Sequence, residues 1–202
     1  MGLGFVLGGC GTSPDMAPAP VTERSTNARL YTPAPAGTLA LPDRVAFLQK
    51  DKRWGGDRLG GTKHETIATD GCVVTATAMA LTNLGFETNP GDLNARLIAE
   101  DSFTSRGWLI WDGIRKVTDG GAYAKFYNTV SADIIDGCLA DGYYPLTRFV
   151  LPNGRTHWAM VVARDGRGYH MRDPLRQSNS PLIFPRGADA FKSVRCIGVK
   201  RT

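Results

Sequence analysis

Residues 157–174 read HWAMVVARDGRGYHMRDP. His157–Arg164 is an almost wholly apolar run with the length of a buried strand. Asp165-Gly166-Arg167-Gly168 turns the chain, and Tyr169–Arg172 runs back. In an antiparallel hairpin the end of the returning strand lies beside the start of the first, so Asp173 is expected next to His157. A carboxylate there holds an imidazole in one tautomer and stabilises its cation. An aspartate before proline is also an ordinary turn residue, and the pairing with His157 favours the orienting role. The other two histidines are weaker candidates: His64 falls in a polar loop, and His170 sits in the return strand, where packing or surface roles prevail.

Outward from this hairpin, Tyr143–Val150 is an extended apolar run, Asn153-Gly154 is a hairpin signal, and Val194–Lys200 reads as a last strand. Upstream the periodicity changes. Val73, Ala76, Ala80 and Leu84 recur at helical spacing behind Asp70-Gly71, with Gly85 as the stop, which predicts an amphipathic, Ala-rich helix with Cys72 in its first turn. Asn89-Pro90-Gly91-Asp92 starts a second helix, with a capping residue, a proline in the first turn and an acid near the positive end of the dipole; Leu93 and Leu97 share one face. Trp111, Ile114 and Val117 suggest a third helix ended by Gly120-Gly121, and Ser131–Leu139 a fourth. Helices first and an antiparallel sheet second argue an α+β fold.

The chain has 202 residues, 42% of them hydrophobic and 21% charged, a balance that supports one buried core. No run approaches the roughly 18 apolar residues of a spanning helix. Lys plus Arg is 24 against 19 acids, net +5, but no block of five or six like charges occurs, so nucleic acid is not an expected partner. Met1–Gly9 is uncharged and apolar, and Leu7-Gly8-Gly9-Cys10 resembles a bacterial lipobox, in which the cysteine is acylated. No Lys or Arg precedes Cys10, and an incidental cysteine is the alternative. Residues 11–42 hold six of the 12 prolines and read as an extended tether. The expected organisation is a lipoprotein signal over 1–10, a disordered tether over 11–42 and a folded domain over 43–202. That places the chain at the cell envelope, lipid-anchored and periplasmic, or secreted. Its only membrane contact is then the anchor, and it is expected to act as a monomer.

Cys72 carries the chemistry. A thiolate is the nucleophile, and a helix N-terminus supplies positive potential and unpaired N–H groups for developing negative charge. Gly71 leaves room for a substrate. The competing reading is a buried structural cysteine. His157, projecting from a sheet edge toward a helix end, is the candidate base. Gln49, 23 residues before Cys72, offers an amide donor for an oxyanion with the Cys72 N–H as companion. Cys72, His157 and Asp173 have no metal-type spacing, so no metal or other cofactor is expected.

Several strings together resemble a known family. They are Gln49-Lys50-Asp51-Lys52-Arg53-Trp54 with Leu59-Gly60, Thr66–Cys72, Thr88-Asn89-Pro90 with Leu93-Asn94, His157–Val162 and Asp173-Pro174. They are similar to the stand-alone bacterial relatives of the bacteriocin-processing, double-glycine leader peptidases, which are papain-like cysteine peptidases. The similarity runs over about residues 43–200. It implies a papain-like fold with N-terminal helices packed on a C-terminal antiparallel sheet. It also implies Cys72 as nucleophile, His157 as base, Asp173 as orienting residue and Gln49 in the oxyanion hole, with Gly71 and Trp158 as substrate contacts. The Gln49–Cys72 spacing exceeds that of the transporter-fused members and requires residues 50–70 to loop out and return. The activity expected is cleavage of a peptide or amide bond of a peptide or protein substrate through an acyl-enzyme on Cys72. Acyl transfer, cell-wall amidase activity and an inactive peptide-binding module are the alternatives. Cys138 and Cys196 are a disulfide or two buried thiols; their separation is not readable from sequence.

Overall fold

A computed structural model of the chain describes residues 37–184 and 186–200. Cys10 with the lipobox, and residues 11–36 of the tether, lie outside the described residues. The elements run β1 (Leu39–Ala40), α1 (Ile67–Asp70), α2 (Cys72–Asn83), α3 (Pro90–Ala99), α4 (Gly113–Val117), β2 (Ala122–Phe126), α5 (Ala132–Ala140), β3 (Tyr144–Val150), β4 (Thr156–Asp165), β5 (Gly168–Arg172), β6 (Leu182–Phe184) and β7 (Ser193–Val199). The strands form one antiparallel sheet in the order β2-β7-β3-β4-β5-β6, with β1 added on β4. This is the α+β class expected from the pattern. The order of helices before sheet does not hold strictly. β2 precedes α5 and reaches the sheet edge by pairing with β7, at the far end of the chain.

The folded part also starts earlier than residue 43. Leu39 and Ala40 pair with Arg164 and Ala163. The Leu41 N–H donates to the Val162 carbonyl at 2.8 Å, and the Tyr144 hydroxyl donates to the Pro42 carbonyl at 2.6 Å. Leu39 and Leu41 pack on the buried clusters, so apolar side chains close to Pro42 have somewhere to go.

α2 departs from the amphipathic expectation. Every residue from Val74 to Leu81 is buried, because the helix lies against β4, β7 and β3 on one side and α1 and α3 on the others. Ala76, Ala78 and Ala80 keep the approach close, and Val74, Met79 and Leu81 fill the space between. The helix is a central post of the core. Its partners from the sheet are Leu146, Met160, Val162 and Ile197. The opposite face of the sheet packs Ala159, Val161 and Val194, with Phe191 from the loop before β7, against Ile135 and Leu139 of α5. A Cys138–Cys196 disulfide ties α5 to β7, which resolves the two alternatives left by the sequence.

Local signals set the helix starts. The Asn89 side chain accepts from the Asp92 N–H at 3.0 Å, and Ser131 accepts from the Ile134 N–H at 3.2 Å. α4 is shorter than the Trp111–Val117 periodicity suggests. It begins at Gly113, where any side chain would collide with Ser102.

The entering segment is fixed by a near-buried ion pair. Arg172, 5% exposed, donates from Nε and Nη2 to the two oxygens of Asp43 at 2.8 and 2.6 Å. A guanidinium this well shielded, forked on a carboxylate, orients both partners. Asp43→Ala leaves the guanidinium without its counter-charge and is expected to cost about 3 kcal/mol of unfolding free energy. Urea denaturation checks this; a change below about 0.5 kcal/mol, the size of an ordinary surface substitution, contradicts it.

Candidate active site

The site forms where α2 begins and β4 begins. α1 ends one residue before α2, with Gly71 as the joint. Thr66 caps α1: its hydroxyl accepts from the Thr69 N–H, and the Thr69 hydroxyl accepts from the Thr66 N–H at 2.9 Å. A Cβ on Gly71 would lie 2.5 Å from the Ile67 carbonyl oxygen and 2.7 Å from its Cα. Glycine is therefore required by the backbone of the preceding turn, and this packing reason stands beside the substrate-space reading taken from sequence. The first helical bond of α2 runs from the Thr75 N–H to the Gly71 carbonyl. The Cys72 N–H precedes that ladder, as first-turn donors do. Cys72 is half-buried and is a free thiol.

His157 lies at the second residue of β4 and is 2% exposed. Its Nε2 is 2.6 Å from Asp173 Oδ1, the contact the hairpin reading expected. The Cys72 thiol is the second group that acts on this imidazole; with Nε2 committed to Asp173, Nδ1 is the nitrogen left for sulfur. Burial opposes the imidazolium, but the Asp173 bond and Cys72 outweigh it and raise His157 to about 9. Burial likewise works against the Asp173 carboxylate. His157 and the Leu175 N–H, 2.8 Å from Oδ1, nonetheless hold it below the ordinary carboxylate range. Phe149 packs edge-on against the His157 ring at 5.5 Å. It was not singled out from sequence, although the Asn153-Gly154 turn implies a cross-strand neighbour, and Phe149 is the residue directly opposite.

Gln49 is 2% exposed and is brought back to this place. Its backbone N–H donates to the Pro174 carbonyl at 2.9 Å, and its Nε2 donates to the Ala68 carbonyl at 2.9 Å. Residues 50–66 loop out and return, as the spacing demanded. The Ala68 N–H donates to the Gly55 carbonyl and the Ile67 N–H to the Asp57 carbonyl, both at 3.0 Å, while the Trp54 indole donates to the Leu48 carbonyl at 2.8 Å. Gln49 thus bridges the segment that leads into Cys72 and the segment that follows Asp173. One Nε2 proton goes to Ala68, and among the described residues the second has no bond, nor has Oε1.

Trp158 follows His157 along the strand and points to the α2 side of the sheet, where it packs on Trp111 with centroids 5.5 Å apart. His64 stays exposed in its loop, and His170 pairs with Asp165 at 3.0 Å, away from Cys72 in role. Among the described residues no group of three or more His, Cys, Asp or Glu could hold a metal ion. The arrangement can take a proton from Cys72, hold it on an oriented imidazole and return it to a leaving group.

No protein-family model matches the sequence, and no curated protein matches it. Among solved structures, a Bacillus anthracis protein described as a C39-like peptidase aligns over 81% of this chain and 98% of its own, with 16% identity and a TM-score of 0.49. A likeness that distant carries no argument, and the site stands on its own geometry.

Proposed function

We propose that the chain is a papain-like cysteine peptidase that cleaves peptide or amide bonds through a thioester on Cys72. The observation that carries this reading is a buried imidazole held at 2.6 Å by a carboxylate, with the free thiol at a helix start acting on the same ring. A structural cysteine of a hydrophobic helix has no need of a histidine oriented in that way.

The geometry supports the following sequence of steps. The Cys72 proton passes to His157, and Sγ attacks the substrate carbonyl carbon. Negative charge develops on the carbonyl oxygen, where the Cys72 N–H and the second Nε2 proton of Gln49 are the available donors. The C–N bond breaks as His157 gives its proton to the leaving amine. Water then attacks the thioester, His157 takes its proton, and the acid departs as Sγ leaves. Asp173 stays ionised throughout and keeps the ring in place.

The Cys138–Cys196 disulfide supports an exported chain, because such bonds persist in oxidising compartments. With the Cys10 lipobox it supports a lipid-anchored enzyme of the cell envelope. Cys10→Ser is expected to move the full-length chain from the membrane fraction to the soluble one; a variant that still sediments with membranes contradicts the anchor.

A proteome-derived peptide library, read by mass spectrometry, tests the chemistry without a known substrate. The intact protein is expected to produce new peptide ends, and Cys72→Ala and His157→Ala to lose at least about 1,000-fold of that rate. Absence of products above the Cys72→Ala background overturns the reading, as does retained activity in either variant.

The pH profile tests the triad separately. Amine departure needs a protonated His157, so cleavage is expected to fall on an alkaline limb near 9. Asp173→Asn removes an interaction that raises the imidazole and leaves the burial that lowers it, so the limb moves to lower pH. A limb that stays in place contradicts the assigned role of Asp173.

A further inference from the structure

The face of the sheet that carries α2 continues past the start of that helix, and its last row is unusual. α2 and β4 run side by side. Cys72 meets His157 at one end, and at the other Asn83 accepts from the Arg44 N–H close to the Leu41–Val162 contact. Eleven helical steps rise about 16 Å, and the five strand steps from His157 to Val162 cover about the same. The helix therefore covers Val162, Met160, Leu146 and Ile197, and the next row lies beyond its first turn.

Register defines that row. Trp158 on β4 stands opposite Arg148 on β3, and Arg195 on β7 stands opposite Phe126 on β2, with Arg148 and Arg195 diagonal neighbours across the β3–β7 pair. All four share the face of Leu146, Met160 and Ile197. Two arginines thus sit side by side in the sheet, the first of them directly opposite Trp158. Among the described residues neither forms an ion pair, and the Nε of each is buried with no hydrogen-bond partner. Nη1 of Arg195 reaches only the Val194 carbonyl, at 2.7 Å.

Aromatic rings frame the pair. The Arg195 guanidinium lies 4.8 Å from the Phe126 centroid and 5.9 Å from that of Trp111. Trp111 in turn contacts Trp158 and Phe126. A groove of about 400 Å³ opens alongside, walled by Ile110, Trp111 and Phe126, with Arg115 and Asp112 paired to each other at its rim. Phe126 and Ile110 remain 59% and 42% exposed.

Burying a donor without an acceptor costs free energy, and placing two like charges together on one face costs more. A fold tolerates both where a ligand supplies the missing acceptor and counter-charge. A carboxylate fits: it accepts two charge-assisted bonds from guanidinium donors, and the flanking rings suit the apolar part of a peptide. We propose that Arg148 and Arg195 form a carboxylate-binding subsite that holds an acidic group of the peptide substrate beside the groove walled by Trp111 and Phe126. The inference rests on the peptidase reading for its place in catalysis, and the test is by binding alone, so the two fail separately.

The test uses the full chain with Cys72→Ala, followed by tryptophan emission from Trp111 and Trp158 during titration with three probes. These are acetyl-Gly-Glu-Gly-amide, acetyl-Gly-Gln-Gly-amide and acetyl-Gly-Gln-Gly with a free carboxylate. At least one acidic probe is expected to bind about tenfold more tightly than the uncharged glutaminyl peptide, with the preference weakening as sodium chloride is raised. The glutamyl peptide winning identifies an acidic side chain as the ligand group, and the free carboxylate winning identifies a peptide C-terminus. Adding Arg148→Gln or Arg195→Gln is expected to remove the preference. Equal binding of charged and uncharged probes, no binding of any, or a preference that survives both substitutions in folded protein overturns the subsite. Should either variant fail to fold, the comparison of the three probes and its salt dependence in the Cys72→Ala chain decides alone.

Discussion

The 2.6 Å contact between His157 and Asp173 sits where β4 starts and β5 has just ended, and it fixes three things at once. It closes the open end of the hairpin, it commits Nε2 and so aims Nδ1 at Cys72, and it keeps an imidazolium in a place that burial alone would forbid. Asp173 is itself held by the Leu175 N–H, and the next carbonyl, that of Pro174, accepts from Gln49. A short stretch after β5 therefore organises both the base and the candidate oxyanion donor. The bond orients the ring that faces the thiol, and the orientation is what the chemistry requires.

That geometry depends in turn on α2 being fixed along its whole length. A helix buried from Val74 to Leu81 cannot slide or roll without opening voids in a close-packed core. Its first residue is consequently held against the sheet, and the Gly71 joint lets α1 approach closely enough to present Ala68 to Gln49. On the other face of the sheet, the disulfide anchors α5 to β7. The strand that carries Arg195 is thus braced from behind, while Arg195 itself lies over Phe126 and Trp111 on the other side.

How much of this was legible follows from how local each interaction is. The Asp173–His157 pairing was readable because a tight turn makes a sixteen-residue separation into a contact. The start of α2 was readable because Gly-Cys precedes an apolar helical repeat. Its full burial was not, since Thr75 and Thr77 read as polar positions until the helix is seen packed between the sheet, α1 and α3. β2 was missed because AYAKF has weak alternation and finds its partner only at the end of the chain. The choice between a Cys138–Cys196 disulfide and two thiols needed the docking of α5 on β7. Arg148 and Arg195 carry no signal in sequence at all, because their adjacency exists only in the register of β3 with β7.

The central claim is that Cys72 is an activated nucleophile rather than a core thiol. Time-resolved iodoacetamide labelling at neutral pH, with intact mass and peptide mapping, tests it most directly. The account predicts an adduct at Cys72, none at Cys138 or Cys196, and a rate at Cys72 that falls at least about tenfold in His157→Ala. A Cys72 rate no faster than that of a free thiol such as glutathione, and unchanged by His157→Ala, contradicts it.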